Sequence, residues 1–201
     1  IYLNFKKLSK ITFTYAAYFC SISLGVSYKL NKEIKSKLLV KGIHIANHDN
    51  PLDIFAAQYI FRLPTITTVD QHLNRILPFF ELSLKNFGHH RFDHLNGNER
   101  KSAYLFLKNV CNKKNSFLIF PSGSIYTSID KRFSKSISKL SFSNNLKVIA
   151  WKIYYTNNPK KPHKYHRDLF KFIIKSFFSE RIEFNVKKVK VFSPNDFSSE
   201  Q

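Results

Sequence analysis

The sequence predicts an α/β fold: a single domain with a mainly parallel sheet flanked by helices, preceded by an N-terminal apolar or amphipathic helix. Three observations predict it. Short β-branched runs alternate with segments of helical spacing over residues 38–154, the order that generates βαβ units. Residues 11–28 form an 18-residue run without a charge, flanked by Lys10 and Lys29. Finally, 201 residues with 43% hydrophobic content suffice for one domain with a substantial core, and no internal repeat, low-complexity linker or second boundary interrupts them.

The elements follow in order. The uncharged run reaches the lower length limit for crossing a bilayer, but Thr12, Thr14, Tyr15, Tyr18, Ser21, Ser23 and Ser27 make it weakly apolar. An interfacial or buried helix is therefore expected rather than a span. No small-residue cleavage pattern follows it, which argues against a signal peptide. Residues 1–35 are expected as a membrane-associating helical segment and 36–195 as the main domain. Residues 38–46 read as a buried strand, after which Asn50 serves as N-cap and Pro51 as the first residue of a helix through Tyr59. A strand is expected over 65–69, a helix interrupted by Pro78 over 72–85, and an extended piece from Gly88 through Asp93. Ala103, Leu105, Phe106 and Val110 give residues 98–112 helical spacing, and 116–120 form a short buried strand that runs into a turn at 121–124. A helix near 134–142 precedes a strand over 146–154; a surface loop at 156–162, a helix over 165–178 and an edge strand or hairpin over 182–191 complete the chain.

Thirty-three Lys and Arg against 13 acids leave a charge of +20, which favours polyanions such as nucleic acid, anionic lipid headgroups or an acidic protein. The positive residues are scattered in pairs such as Lys6-Lys7 and Lys187-Lys188 rather than gathered in a tail. Cys20 and Cys111 are too few for a disulfide framework or a four-ligand zinc site, so a reducing compartment is the simpler inference. The chain starts at Ile1 and holds no Met, the mark of a fragment or processed product.

A histidine five residues before an aspartate occurs three times, at His44/Asp49, His48/Asp53 and His163/Asp168. The pairing matters because a neutral imidazole held by a carboxylate takes a proton from an alcohol near neutral pH. Context chooses among the three. His44 lies inside the expected buried strand, and His163 follows a Pro- and Lys-rich loop. Only His48 sits at a strand-to-helix turn, with Asp53 in the first turn of the helix projecting back toward it.

With that turn placed, the order of motifs resembles the glycerolipid acyltransferase superfamily, which includes the bacterial 1-acylglycerol-3-phosphate acyltransferases. Four blocks over roughly residues 38–154 carry the resemblance. The first runs from Asn47-His48 to Asp53; the second is Gly88-His89-His90-Arg91-Phe92-Asp93-His94; the third is Phe120-Pro121-Ser122-Gly123-Ser124; the fourth is the apolar strand Val148-Ile149-Ala150-Trp151. His94 stands where the second block has arginine, and Ser122 and Ile125 replace the third block's glutamate and arginine. An acid and two cations able to fork onto phosphate are thereby absent, and Arg91 falls on the opposite face of a strand from His94. The acceptor is left open among a different acceptor, displaced cations such as Lys131 or Arg132, and a degenerate, inactive member.

The resemblance implies transfer of a fatty acyl group from a coenzyme A or acyl carrier protein thioester to a glycerolipid hydroxyl of lysophospholipid or lysophosphatidate type. His48 would be general base and Asp53 its orienter. Asn47, Gly88, Asp93, His94, Phe120, Pro121, Ser122, Gly123 and Ser124 would bind substrate. Backbone N–H groups after Pro51 or in the 122–124 turn would stabilise the oxyanion. No metal and no cofactor beyond the thioester co-substrate are implied. The basic charge then suits phosphate-bearing donors and an anionic membrane surface at its cytoplasmic face, with no need of nucleic acid.

Two other classes compete. A basic nucleic-acid-binding module is suggested by the charge and by 16% aromatic residues, but Phe117, Phe120, Phe170 and Phe177 fall at positions that core packing explains. A metal site at His89, His90, Asp93 and His94 would need a helix where Gly88 and Phe92 argue for extended chain. A serine hydrolase lacks its Gly-x-Ser-x-Gly elbow.

Overall fold

The computed structural model describes residues 2–23, 25–28, 40–48, 50, 53–61, 63, 65–67, 90–91, 96–113, 116–120, 135–156 and 182–200. Within them lie helix α1 (Tyr2–Ser23), strands β1 (Val26–Tyr28) and β2 (Ile43–Ala46), helix α2 (Asp53–Phe61), strands β3 (Thr65–Thr67) and β4 (His90–Arg91). Helix α3 (Gly97–Asn112), strand β5 (Phe117–Ile119), helix α4 (Lys135–Asn144), strands β6 (Val148–Thr156) and β7 (Ile182–Phe192) and a 3₁₀ helix (Pro194–Glu200) follow. The expected helices over 72–85 and 165–178 and most of the 156–162 loop lie outside the described residues, as do Gly88, His89, Asp93, His94, Ile125, Lys131, Arg132, His163 and Asp168.

Among the described residues seven strands form one sheet in the order β1-β7-β6-β2-β5-β3-β4. Every neighbouring pair is parallel except β6 with β7. The expected mainly parallel α/β sheet is therefore the one observed. Side-chain alternation sorts its residues onto two covered faces. His44 and Ala46 of β2, Leu118 of β5, Ile149, Trp151 and Ile153 of β6 and Phe184 of β7 share the face packed by α2. Ile43, Phe117 and Val148 turn the other way, onto Leu107 and Cys111 of α3 and Ile137 and Leu140 of α4. Full burial of a side chain the size of Phe117 or Phe184 contributes about 1.5–3 kcal/mol.

Local chemistry explains the element ends. Asn96 caps α3 by accepting from the N–H groups of Asn98 at 3.0 Å and Glu99 at 3.4 Å. Gly42 enters β2 where a Cβ would stand 2.5 Å from the Lys147 carbonyl oxygen, so a side chain there would push the two strands apart. Between Ala150↔Lys190 and Trp151↔Lys188 the β6–β7 register skips Val189. That extra residue reverses the alternation of β7, so that Val186 faces the α2 side and Phe192 the opposite one.

Two expectations need correction. Residues 26–28, read as the end of the N-terminal helix, form a strand instead: Gly25, at φ 77°, stops α1 and its carbonyl accepts the Ile182 N–H at 2.9 Å. Uncharged residues suit a buried strand as well as a helix, so charge alone could not place this boundary. The 182–191 strand, expected at an edge, is second from it, because β1 pairs alongside through Val26↔Ile182 and Tyr28↔Phe184.

Helix α1 packs on α2 through a narrow face of small and polar residues, Thr14, Ala17 and Ser21, beside Tyr18, whose ring lies 4.3 Å from that of Tyr59. Its large apolar residues point the other way: Ile11 (45% exposed), Tyr15 (52%), Phe19 (64%) and Ile22 (43%) line one stripe at helical spacing. Among the described residues no helix is long and apolar enough to cross a membrane.

Candidate active site

Three adjacent parallel strands, β5, β2 and β6, bring their carboxyl ends together, the place where open α/β sheets assemble ligand sites. Each contributes a side chain at or just past its end: Phe120 after β5, His48 after β2 and Tyr155 in the last turnout of β6.

Backbone pairing of β2 with β6 ends at Ala46↔Trp151. Asn47 continues it with its side chain, whose Nδ2 donates to the Ile153 carbonyl at 2.9 Å while Oδ1 accepts the Ile153 N–H at 2.6 Å. A primary amide matches the donor–acceptor pair of a peptide unit, so the main chain of β2 can leave the sheet without orphaning Ile153. Asn47, expected to bind substrate, is thus seen fastening the strand end from which His48 emerges.

The turn that follows is tied from both sides. The Asp53 N–H donates to the Asn50 carbonyl at 3.0 Å, and the Asn50 N–H donates to Asp53 Oδ2 at 3.0 Å. The carboxylate that reaches back to the Asn50 N–H supplies one half of a capping box, and it stands in the first turn of α2, where the dipole favours it. Asn50 and Asp53 are both fully buried.

Asp53 Oδ2 also accepts from His48 Nδ1 at 2.9 Å, and Oδ1 accepts the Tyr155 hydroxyl at 2.6 Å. A buried carboxylate is tolerated only when its lone pairs are met, and here donors come from both the turn after β2 and the end of β6. Because Nδ1 of His48 donates to Asp53, the lone pair of the neutral ring is on Nε2, the nitrogen available for taking a proton. The His48 side chain is 11% exposed, enough for a reactant to reach, and its ring packs against Phe120 at 4.8 Å between centroids. Burial, and then the Asp53 carboxylate beside it, hold the Tyr155 phenol well above the usual tyrosine range, so it stays a protonated donor.

The rival His44 is settled by its surroundings. It is fully buried, donates from Nε2 to the Val40 carbonyl at 2.9 Å, and accepts at Nδ1 from the Trp151 indole N–H at 3.0 Å. Burial pushes its imidazole below the ordinary histidine range, the Val40 carbonyl opposing this in part. Both nitrogens are committed, so His44 is a core residue stacked on Trp151.

Residues 29–178 match the family model described as Acyltransferase. The chain belongs to the acyltransferase family. Among curated proteins none matches it. Among solved structures, the 1-acyl-sn-glycerophosphate (LPA) acyltransferase PlsC from Thermotoga maritima is similar in fold, with a TM-score of 0.66 at 17% identity, covering 100% of this chain and 75% of that one. The protein is thus an acyltransferase with the α/β architecture that its order of motifs implied.

Of the remaining residues expected in the acyltransferase site, Phe120 is buried against His48, while Gly88, Asp93, His94, Pro121, Ser122, Gly123 and Ser124 lie outside the described residues. His90 and Arg91 are in strand β4, extended chain of the kind that argued against a helical histidine cluster. No group of metal-ligating side chains gathers among the described residues. Cys111 is a buried free thiol, pushed up to about 11 by burial and packed against the core beneath α3. Tyr155 was missed by sequence reasoning, which ended the strand at Tyr154. The signal was the alternation of Trp151, Ile153 and Tyr155 with Lys152, Tyr154 and Thr156, which places Tyr155 on the buried face.

Proposed function

We propose that this acyltransferase moves a fatty acyl group from a coenzyme A or acyl carrier protein thioester to the hydroxyl of a glycerolipid acceptor of lysophospholipid or lysophosphatidate type. The observation that carries the reading is the His48–Asp53 pair at 2.9 Å, its carboxylate buried and its imidazole partly exposed just past the end of β2. The substrate for which the Thermotoga maritima protein is named, an acyl-glycerophosphate, supports the acceptor class.

The reaction needs no covalent enzyme intermediate. Nε2 of His48 takes the proton as the acceptor oxygen attacks the thioester carbonyl carbon. Asp53 holds the ring in the tautomer with Nδ1–H and stabilises the imidazolium that forms. The carbonyl oxygen becomes an oxyanion, which backbone N–H donors stabilise. Collapse breaks the carbon–sulfur bond, and the imidazolium returns its proton to the departing thiolate. An acyl-transfer screen tests the reading directly: purified protein with palmitoyl-coenzyme A or palmitoyl-acyl carrier protein, against glycerol 3-phosphate, lysophosphatidate and lysophosphatidylcholine. Ester formation with a lyso acceptor is expected; turnover of none would overturn it.

The reading places the protein on the cytoplasmic face of a membrane, held by α1. Four large apolar side chains on one exposed stripe are costly to leave in water and suit the headgroup–acyl boundary. Lys6, Lys7 and Lys10 stand at the start of the same helix, and a net charge of +20 favours anionic lipid. Replacing Tyr15 and Phe19 together with serine is expected to reduce co-sedimentation with phosphatidylglycerol-containing vesicles by about tenfold, on the apolar area removed. Unchanged binding would remove α1 as the anchor.

A further inference from the structure

We propose that Tyr155 is a positioning residue of the dyad, fixing the Asp53 carboxylate so that its other oxygen is presented to His48. This rests on the reading of His48 and Asp53 as base and orienter. Oδ1 accepts from the Tyr155 hydroxyl at 2.6 Å, and Oδ2 from His48 Nδ1 at 2.9 Å and the Asn50 N–H at 3.0 Å. Loss of the Tyr155 hydroxyl removes a charge-assisted hydrogen bond from a buried oxygen and weakens the hold against rotation about the Cβ–Cγ bond, which would exchange the two oxygens.

The ring that carries this hydroxyl is itself held in place. Tyr155 meets Phe184 of β7 edge-on at 5.3 Å, and Phe184 lies 5.6 Å from Tyr28 of β1. Tyr28 in turn packs on Tyr59 of α2 at 4.9 Å, and its hydroxyl donates to Ser21 of α1. Rigid support of this kind separates an aligned catalytic pair from one that is merely adjacent.

The test is Tyr155→Phe, which deletes one oxygen and keeps the ring. With the best substrate pair of the wild-type protein, kcat is expected to fall about tenfold with KM unchanged, because the loss is of alignment and not of substrate contact. In parallel, the ¹H resonance of His48 Nδ1–H, assigned by its absence in His48→Ala, is expected to move without any substrate present, because the carboxylate oxygen that accepts this proton is no longer held in place. A lower thermal midpoint with kcat and that resonance unmoved would show Tyr155 to be a packing residue and overturn the proposal. A moved resonance in a protein that transfers no acyl group would sustain the positioning role and overturn the acyltransfer assignment of the dyad.

Discussion

His48→Ala is expected to lower kcat for acyl transfer by about 10³-fold or more, the loss of a positioned general base. The size follows from the site. Nε2 of His48 is the nitrogen left for a proton once Nδ1 is committed to Asp53. Among the described residues His44, the neighbouring histidine, has both nitrogens engaged in the core. The fold should survive the change, because Asp53 keeps the Tyr155 hydroxyl and the Asn50 N–H as donors. What is lost structurally is the contact of one partly exposed ring with Phe120. Steady-state kinetics beside a thermal melt separates the two effects. A purified variant that turns over at wild-type rate would remove His48 from the mechanism.

Asp53→Asn is expected to reduce kcat by about 10²–10⁴-fold, with KM little changed. The substitution keeps shape and removes charge. An amide has one acceptor and one donor group where the carboxylate has two acceptors, yet donors approach both oxygens: Tyr155 on one side, His48 and Asn50 on the other. The least costly placement turns the amide NH₂ to the Tyr155 oxygen and the carbonyl to the turn. His48 then keeps its tautomer but loses the anion that stabilises its protonated form. The opposite placement sets an NH₂ against Nδ1 and selects the wrong tautomer. Either way kcat falls, and the buried conflict also lowers stability by about 1–3 kcal/mol. Equal kcat in Asp53→Asn and wild type would show that the charge plays no part in the step.

The two expectations rest on parts of the site that differ in how far the sequence discloses them. His48, Asn50 and Asp53 lie within six consecutive positions, and their mutual contacts are those of a helix start. Cap, first-turn acid and preceding histidine are local features, and local features are written in residue order. The separation of His48 from His44 was equally readable, because a β-branched run places His44 in a buried strand and not at its end. Tyr155 is different. It reaches Asp53 across 102 positions, and nothing in the period of its own strand says which element it will face.

Residue order by itself therefore determined the α/β class, the alternation of strands and helices, and the pairing of His48 with Asp53. Side-chain period and capping chemistry act over a few residues and are independent of the rest of the chain. Only the tertiary structure decided that β2 lies between β5 and β6, that β1 pairs beside β7, that Asn47 pairs with Ile153, and that the Tyr155 hydroxyl donates to the Asp53 carboxylate. Those outcomes depend on which strands become neighbours. That choice is made by the burial of both sheet faces at once, a property of the whole packed molecule that no single segment carries.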